Sequence, residues 1–213
     1  MTSPLTLLRE RLPALFDRGV ALLREKASAG GAAAQARLED VMGAKGAVRI
    51  VLEGDGEAWI AVGEGSLTVG DAAPEGLPVR LAVAVPAEAA RAAAARLPAG
   101  VAEDEGAALH VAGAASRRAE AVLEGQRLDF HVVVEGVPEL DRVVAKVAVG
   151  APEPPETPRF TATVRYDDLE DAGDRGVDPQ QFLMGGRIRF AGDYVPALQL
   201  GMQLAQVMQP PRR

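Results

Sequence analysis

The sequence predicts an α+β protein, and three features of its hydrophobic pattern carry that prediction. Apolar residues recur at three- and four-residue steps near the N-terminus. They alternate from Val48 onward, and a strand-then-helix order later returns a second time.

The elements follow in order. Leu5, Leu8, Leu12, Leu15, Phe16, Leu22 and Leu23 share one helical face, with Arg9, Glu10, Arg11, Asp17 and Arg18 largely off it. Pro13 inside this amphipathic region predicts a bend or a restart. After Gly30-Gly31 an alanine-rich piece predicts a second helix ending near Gly43. Val48, Ile50 and Leu52 then alternate with Arg49, Val51 and Glu53, "GDGE" supplies a turn, and Ala58 to Val62 and Ser66 to Val69 complete a meander. Leu81, Val83 and Val85 mark a further strand that leads into the helical "PAEAARAAAARL", where Pro86 is tolerable in the first turn. Leu128 to Glu135 and Arg142 to Val149 read as paired strands. The proline-rich "APEPPETP" connects them to a strand at Phe160 to Val164 and an acidic short helix, "YDDLEDAGD".

Bulk properties exclude several functions. A chain of 213 residues can bury a core without staples, and the absence of cysteine removes disulfide, thiolate-metal and thiol-redox chemistry. A net charge of −7 argues against a phosphate-binding surface, so no nucleic-acid partner is expected. No apolar run approaches a membrane span, and the N-terminus alternates charges with leucines rather than forming a signal peptide, which predicts a cytoplasmic protein.

Sliding the chain by 79 positions lays Val79–Gly125 on Pro158–Leu204 without a gap. Arg80, Val85, Ala93, Arg96, Gly106, Ala112 and Gly113 then meet identical residues. In each copy the pattern reads strand, helix, loop, a short "LHVAG" or "IRFAG" strand, and a final helix, which suggests duplication.

The run Gly186-Arg187-Ile188-Arg189-Phe190-Ala191-Gly192-Asp193, preceded by Phe182 and followed by Ala197 and Leu198, resembles the signature end of the sterol carrier protein 2 family. "VRIVLEGDGEAWIAV", with Trp59, is similar to that family's first hairpin, and "RFTATVRYDDLEDA", with Phe160, to its strand and acidic helix. Arg187 stands where the family has lysine, and Pro196 where it has an apolar helix former. The resemblance implies a mixed, mainly antiparallel β-sheet covered by helices around an apolar tunnel for sterols, acyl chains or acyl-CoA. It implies no catalytic residues and no cofactor. The hairpin and the signature lie further apart than one module allows, which leaves a long insertion or two modules. In the second case residues 1–43 form an N-terminal helical region, 44–126 a first half and 127–213 a second half, paired as a pseudo-dimer.

Within the signature, Ile188 and Phe190 share a strand face, and Leu198, Met202 and Ala205 follow at helical spacing to cover it. Met184, Met202 and Met208 add adaptable side chains. The expected ligand-binding set is therefore Trp59, Phe160, Phe182, Met184, Ile188, Phe190, Leu198 and Met202. Ordinary core packing is the other reading of the same pattern.

The remaining features are blander. The acidic run from Asp167 to Asp178 lacks the alternating ligands of a calcium loop and reads as a hydrated helix face. His110 and His131 read as strand histidines, with a metal or catalytic pair as the sharper alternative. Arg117-Arg118 and Arg187/Arg189 suit either a lipid headgroup or plain surface. Two functions stay open: a non-catalytic carrier of a lipid, fatty acyl, sterol-like or isoprenoid molecule, or an assembly factor with a filled cavity. In the second, the N-terminal helical region docks a partner protein or a second copy.

Overall fold

The computed structural model describes residues 3–96, 103–175 and 185–208. It shows an α+β protein in which eight strands form one sheet, covered on one face by helices. Phe182 and Met184 of the expected site lie outside the described residues.

Helix α1 (Pro4–Ser28) begins with proline in its first turn, where the missing N–H costs nothing. Pro13 lies inside it, and the helix neither stops nor restarts there. Leu15, Phe16, Val20 and Leu23 bury the following turns and hold the helix together across the lost hydrogen bond. Helix α2 (Ala32–Met42) ends at Gly43, as expected.

Strands β1 (Gly46–Glu53), β2 (Gly56–Gly63), β3 (Ser66–Gly70) and β4 (Val79–Pro86) precede helix α3 (Ala87–Ala95). Helices α4 (Glu105–Ala114) and α5 (Arg117–Leu123) follow. Then come β5 (Leu128–Val137), β6 (Asp141–Val149), β7 (Phe160–Arg165), helix α6 (Tyr166–Arg175), β8 (Ile188–Gly192) and helix α7 (Val195–Met208). The strand order is β3-β2-β1-β4-β6-β5-β7-β8. Only β1/β4 and β5/β7 pair in parallel, so the sheet is mixed and mainly antiparallel.

A backbone repeat is visible in these pairings. β1 and β2 form a hairpin, β4 lies parallel to β1, and α3 follows; β5, β6, β7 and α6 repeat that arrangement. Val83 pairs with Ile50 and Ala162 with Val132, and Val83 and Ala162 are separated by the 79 positions of the sequence slide.

The two arrangements differ at the next element. "IRFAG" is β8, but "LHVAG", Leu109 to Gly113, lies in α4 rather than in a strand. Asp104 starts that helix, its Oδ1 accepting the Ala107 N–H at 2.8 Å. The edge of β4 that such a strand would use is taken by β6.

The helix-covered face carries Val48, Ile50, Leu52, Leu81, Val83 and Val85 from the first four strands, as their alternation requires. Its core divides into clusters around Phe16 and Val41, around Leu5 and Leu52, and around Leu128, Phe160 and Leu200. Leu5, Leu15, Phe16, Val20 and Leu23 of α1 are therefore packed within this chain. The proline-rich segment is pinned to polar side chains of β1, β5 and β6. The Arg49 guanidinium donates to the Pro152 carbonyl at 3.0 Å, the His131 ring Nε2 lies 3.0 Å from the Pro155 carbonyl, and Lys146 Nζ reaches Glu156 at 2.8 Å. By strand alternation, Arg49, Lys146 and His131 project from the face opposite the helices.

Candidate functional site

Three features of the sequence combine to leave space under the helices. Gly19 of α1 sits so close to α4 that a Cβ there would lie 2.2 Å from the Ala108 carbonyl oxygen, so these two helices cross in close contact. Helix α3 reads AEAARAAAA: Ala87 and Ala90 pack against Leu52 at one end, and side chains that short leave the space beyond them unfilled. Leucines along the first half of α1 line the remaining side, and the space opens to solvent there. The result is an apolar cavity of about 600 Å³ between α1, α3, α4 and the sheet.

Leu7, Leu8, Leu12 and Leu15 line it from α1, Ile50, Leu52 and Val85 from the sheet, Ala90 and Ala94 from α3, and Ala107 and Val111 from α4. Among the described lining residues, Arg11 and His110 are the two with polar ends. A second chamber of about 370 Å³ continues along the sheet past Val48, Ile60 and Leu81, and shares Leu12, His110 and Val111 with the first. At its margin Arg80 Nε is buried with no hydrogen-bond partner. On the other side a polar recess of about 450 Å³, holding Ser3, Asp55 and Arg91, shares Leu7, Arg11 and Ala94 with the main cavity.

The described members of the expected ligand-binding set do not line this cavity. Phe160 is buried in the cluster of the C-terminal strands, stacked on Phe130 with ring centroids 4.9 Å apart. Phe190 follows at 6.4 Å and stacks on Tyr194 at 4.9 Å, which makes a continuous aromatic row. Ile188 is half-buried beside Val164. On α7 the residues packed into the cluster are Ala197, Leu200 and Leu204. Leu198 is half-buried and lies outside that packing, and Met202 is 58% exposed. The face assumed from the sequence is thus out of phase with the buried one.

Trp59 is buried on the other side of the sheet. Its indole N–H donates to Glu57 Oε1 at 3.0 Å, and the Arg49 guanidinium lies 5.6 Å from the ring centroid. The same guanidinium holds the Glu57 carboxyl below its ordinary value, with the Trp59 hydrogen bond adding to the effect. Lys146, bonded first to Glu156 and then to Glu53, is held above the usual lysine value. These groups form a structural charge network under the proline-rich segment.

The two histidines cannot act as a pair. His110 is on α4, a helix and not the expected strand, and His131 projects from the opposite face of the sheet. Among the described residues no group of three or more His, Cys, Asp or Glu side chains could hold a metal. Arg187 lies 3.5 Å from Asp168 and Arg189 2.5 Å from Glu135, so own-chain carboxylates neutralise both. The acidic run thereby supplies partners on the surface. No described helix is long and apolar enough to cross a membrane.

The sequence reading missed Leu7, Leu8, Leu12, Ile50, Val85, Ala90 and Val111 as site residues. The signal that existed was negative: alanines across α3 and α4 where a packed core would require bulk. No protein-family model matches the chain, and no curated protein matches it.

Proposed function

We propose that this protein binds or carries a hydrophobic small molecule, without chemistry of its own, in the cavity between α1, α3, α4 and the sheet. One observation carries the reading: a space of about 600 Å³ lined almost wholly by leucine, isoleucine, valine and alanine. That volume falls within the roughly 300–1,000 Å³ usual for ligand pockets. An apolar chain placed there leaves water at about 25 cal/mol per Å² buried, which supplies affinity with few polar contacts. Selectivity among lipid, fatty acyl, sterol-like and isoprenoid tails is then loose.

The resemblance of the last strand and helix to the sterol carrier protein 2 family is consistent with this reading, as is the mixed sheet covered by helices. In the proposal the ligand lies in the first half of the chain, not beside the family-like signature. The open interior favours a carrier over an assembly factor with a filled cavity.

Native mass spectrometry and solvent extraction of the purified protein test the proposal. A released lipid, with matching added mass on the intact protein, is expected. A protein that emerges dry, takes up no added long-chain alcohol and forms a defined oligomer would favour the assembly role.

A further inference from the structure

We infer that the ligand is a single-chain amphiphile with an anionic head, and that Arg11 receives that head. The inference rests on the apolar cavity as the binding site and adds the chemistry of its mouth.

Arg11 lines both the apolar cavity and the polar recess beside it, so it stands at the seam between them. It is half-buried. Among the described residues it makes no hydrogen bond and no ion pair. A partly desolvated guanidinium without a partner is costly, and an incoming anion relieves that cost through charge-assisted, bidentate hydrogen bonds. Among the described residues the other charges lining the recess are Asp55 and Arg91, which engage each other at 3.3 Å. With their charges balanced, Arg11 leaves the described lining of the recess positive within a chain of net charge −7. That local sign, against the overall one, selects an anionic head.

The geometry also orders the molecule. The head would sit in the recess with Ser3 and Arg11, and the tail would run between Leu8 and Val85 toward Leu12 and Val111, where the second chamber begins. Carboxylate and phosphate heads share the chemistry that Arg11 recognises, and the experiment distinguishes them.

The full-length protein is titrated with hexadecanoate, hexadecyl phosphate and hexadecanol below their micellar concentrations, at pH 8, by displacement of a fluorescent apolar probe. Wild type is expected to bind at least one of the two anions about tenfold more tightly than the alcohol, the value of one charge-assisted hydrogen bond. Arg11→Gln should erase that preference, and Arg11→Lys should restore part of it. The ratio of anion to alcohol affinity is read within each variant, so a general change in the cavity cancels from the comparison. Equal binding of anions and alcohol by wild type, or a preference that survives Arg11→Gln, overturns the assignment of the head and leaves the cavity reading standing. Failure of wild type to bind any of the three overturns both.

Discussion

Filling the cavity from within distinguishes empty space from a packed core. Ala90 is on α3, lines the cavity and packs beside Leu5 and Leu52. Ala90→Leu adds three carbon groups on a helix where alanine and leucine have nearly equal propensity. If the space is open, burying those groups contributes about 0.8 kcal/mol each, and fixing the new rotamer costs about 0.5–1 kcal/mol. The net expectation is a stabilisation of about 1.5 kcal/mol, which in a chain of this length raises Tm by about 3–6 °C. Urea denaturation and differential scanning fluorimetry of the ligand-free protein measure it. The same variant should bind hexadecanol more weakly, because the added side chain occupies the ligand's place. In a packed interior the added bulk would instead destabilise by about 1–3 kcal/mol. Loss of stability in Ala90→Leu, with hexadecanol binding intact, would refute the reasoning.

The remaining predictions concern the parts of the fold that the cavity does not include. Leu200→Ala should cost about 2–5 kcal/mol in urea unfolding, because Leu200 is buried against Leu128 and Phe160. Met202→Gln, on the exposed face of α7, should stay within about 0.5 kcal/mol of wild type; comparable losses for both would contradict the helix phase described above. Glu57 has its folded-state pKa lowered from 4.5, so its ionised form favours folding. The contribution is complete above the ordinary value and fades as pH falls through the lower folded one. The stability gap between wild type and Glu57→Gln should therefore shrink as pH falls below the ordinary glutamate value, and a gap independent of pH would reject that role.

The strands were legible because alternation at Val48, Ile50 and Leu52 leaves a short chain segment few other ways to bury one face. The hairpins followed from "GDGE" and from the β-branched runs at 128–135 and 142–149. "LHVAG" was misread because five residues with apolar Leu109 and Val111 suit a strand as well as a helix. The choice was made by distant partners: β6 occupies the edge of β4, and Gly19 admits α4 against α1. The phase of α7 could not be read from spacing, since a shift of one residue turns a helix by about 100°. The cavity was hidden for a different reason. It is volume that Ala90, Ala94 and Ala107 leave unfilled between three helices, and an absence shared by separate segments leaves no local pattern. The aromatic residues that stood out in the sequence, Phe160 and Phe190, stack on Phe130 and Tyr194 and fill the second half of the core.

Where a hydrophobic ligand settles is read most directly from methyl resonances in an NMR titration of the intact protein with hexadecanol. The methyl signals of Leu8, Leu12, Ile50, Val85 and Val111 should shift together and saturate, while those of Leu128, Val149 and Leu200 stay in place. Shifts confined to the second set, or no saturable shift in either, would contradict a binding cavity beneath α1, α3 and α4.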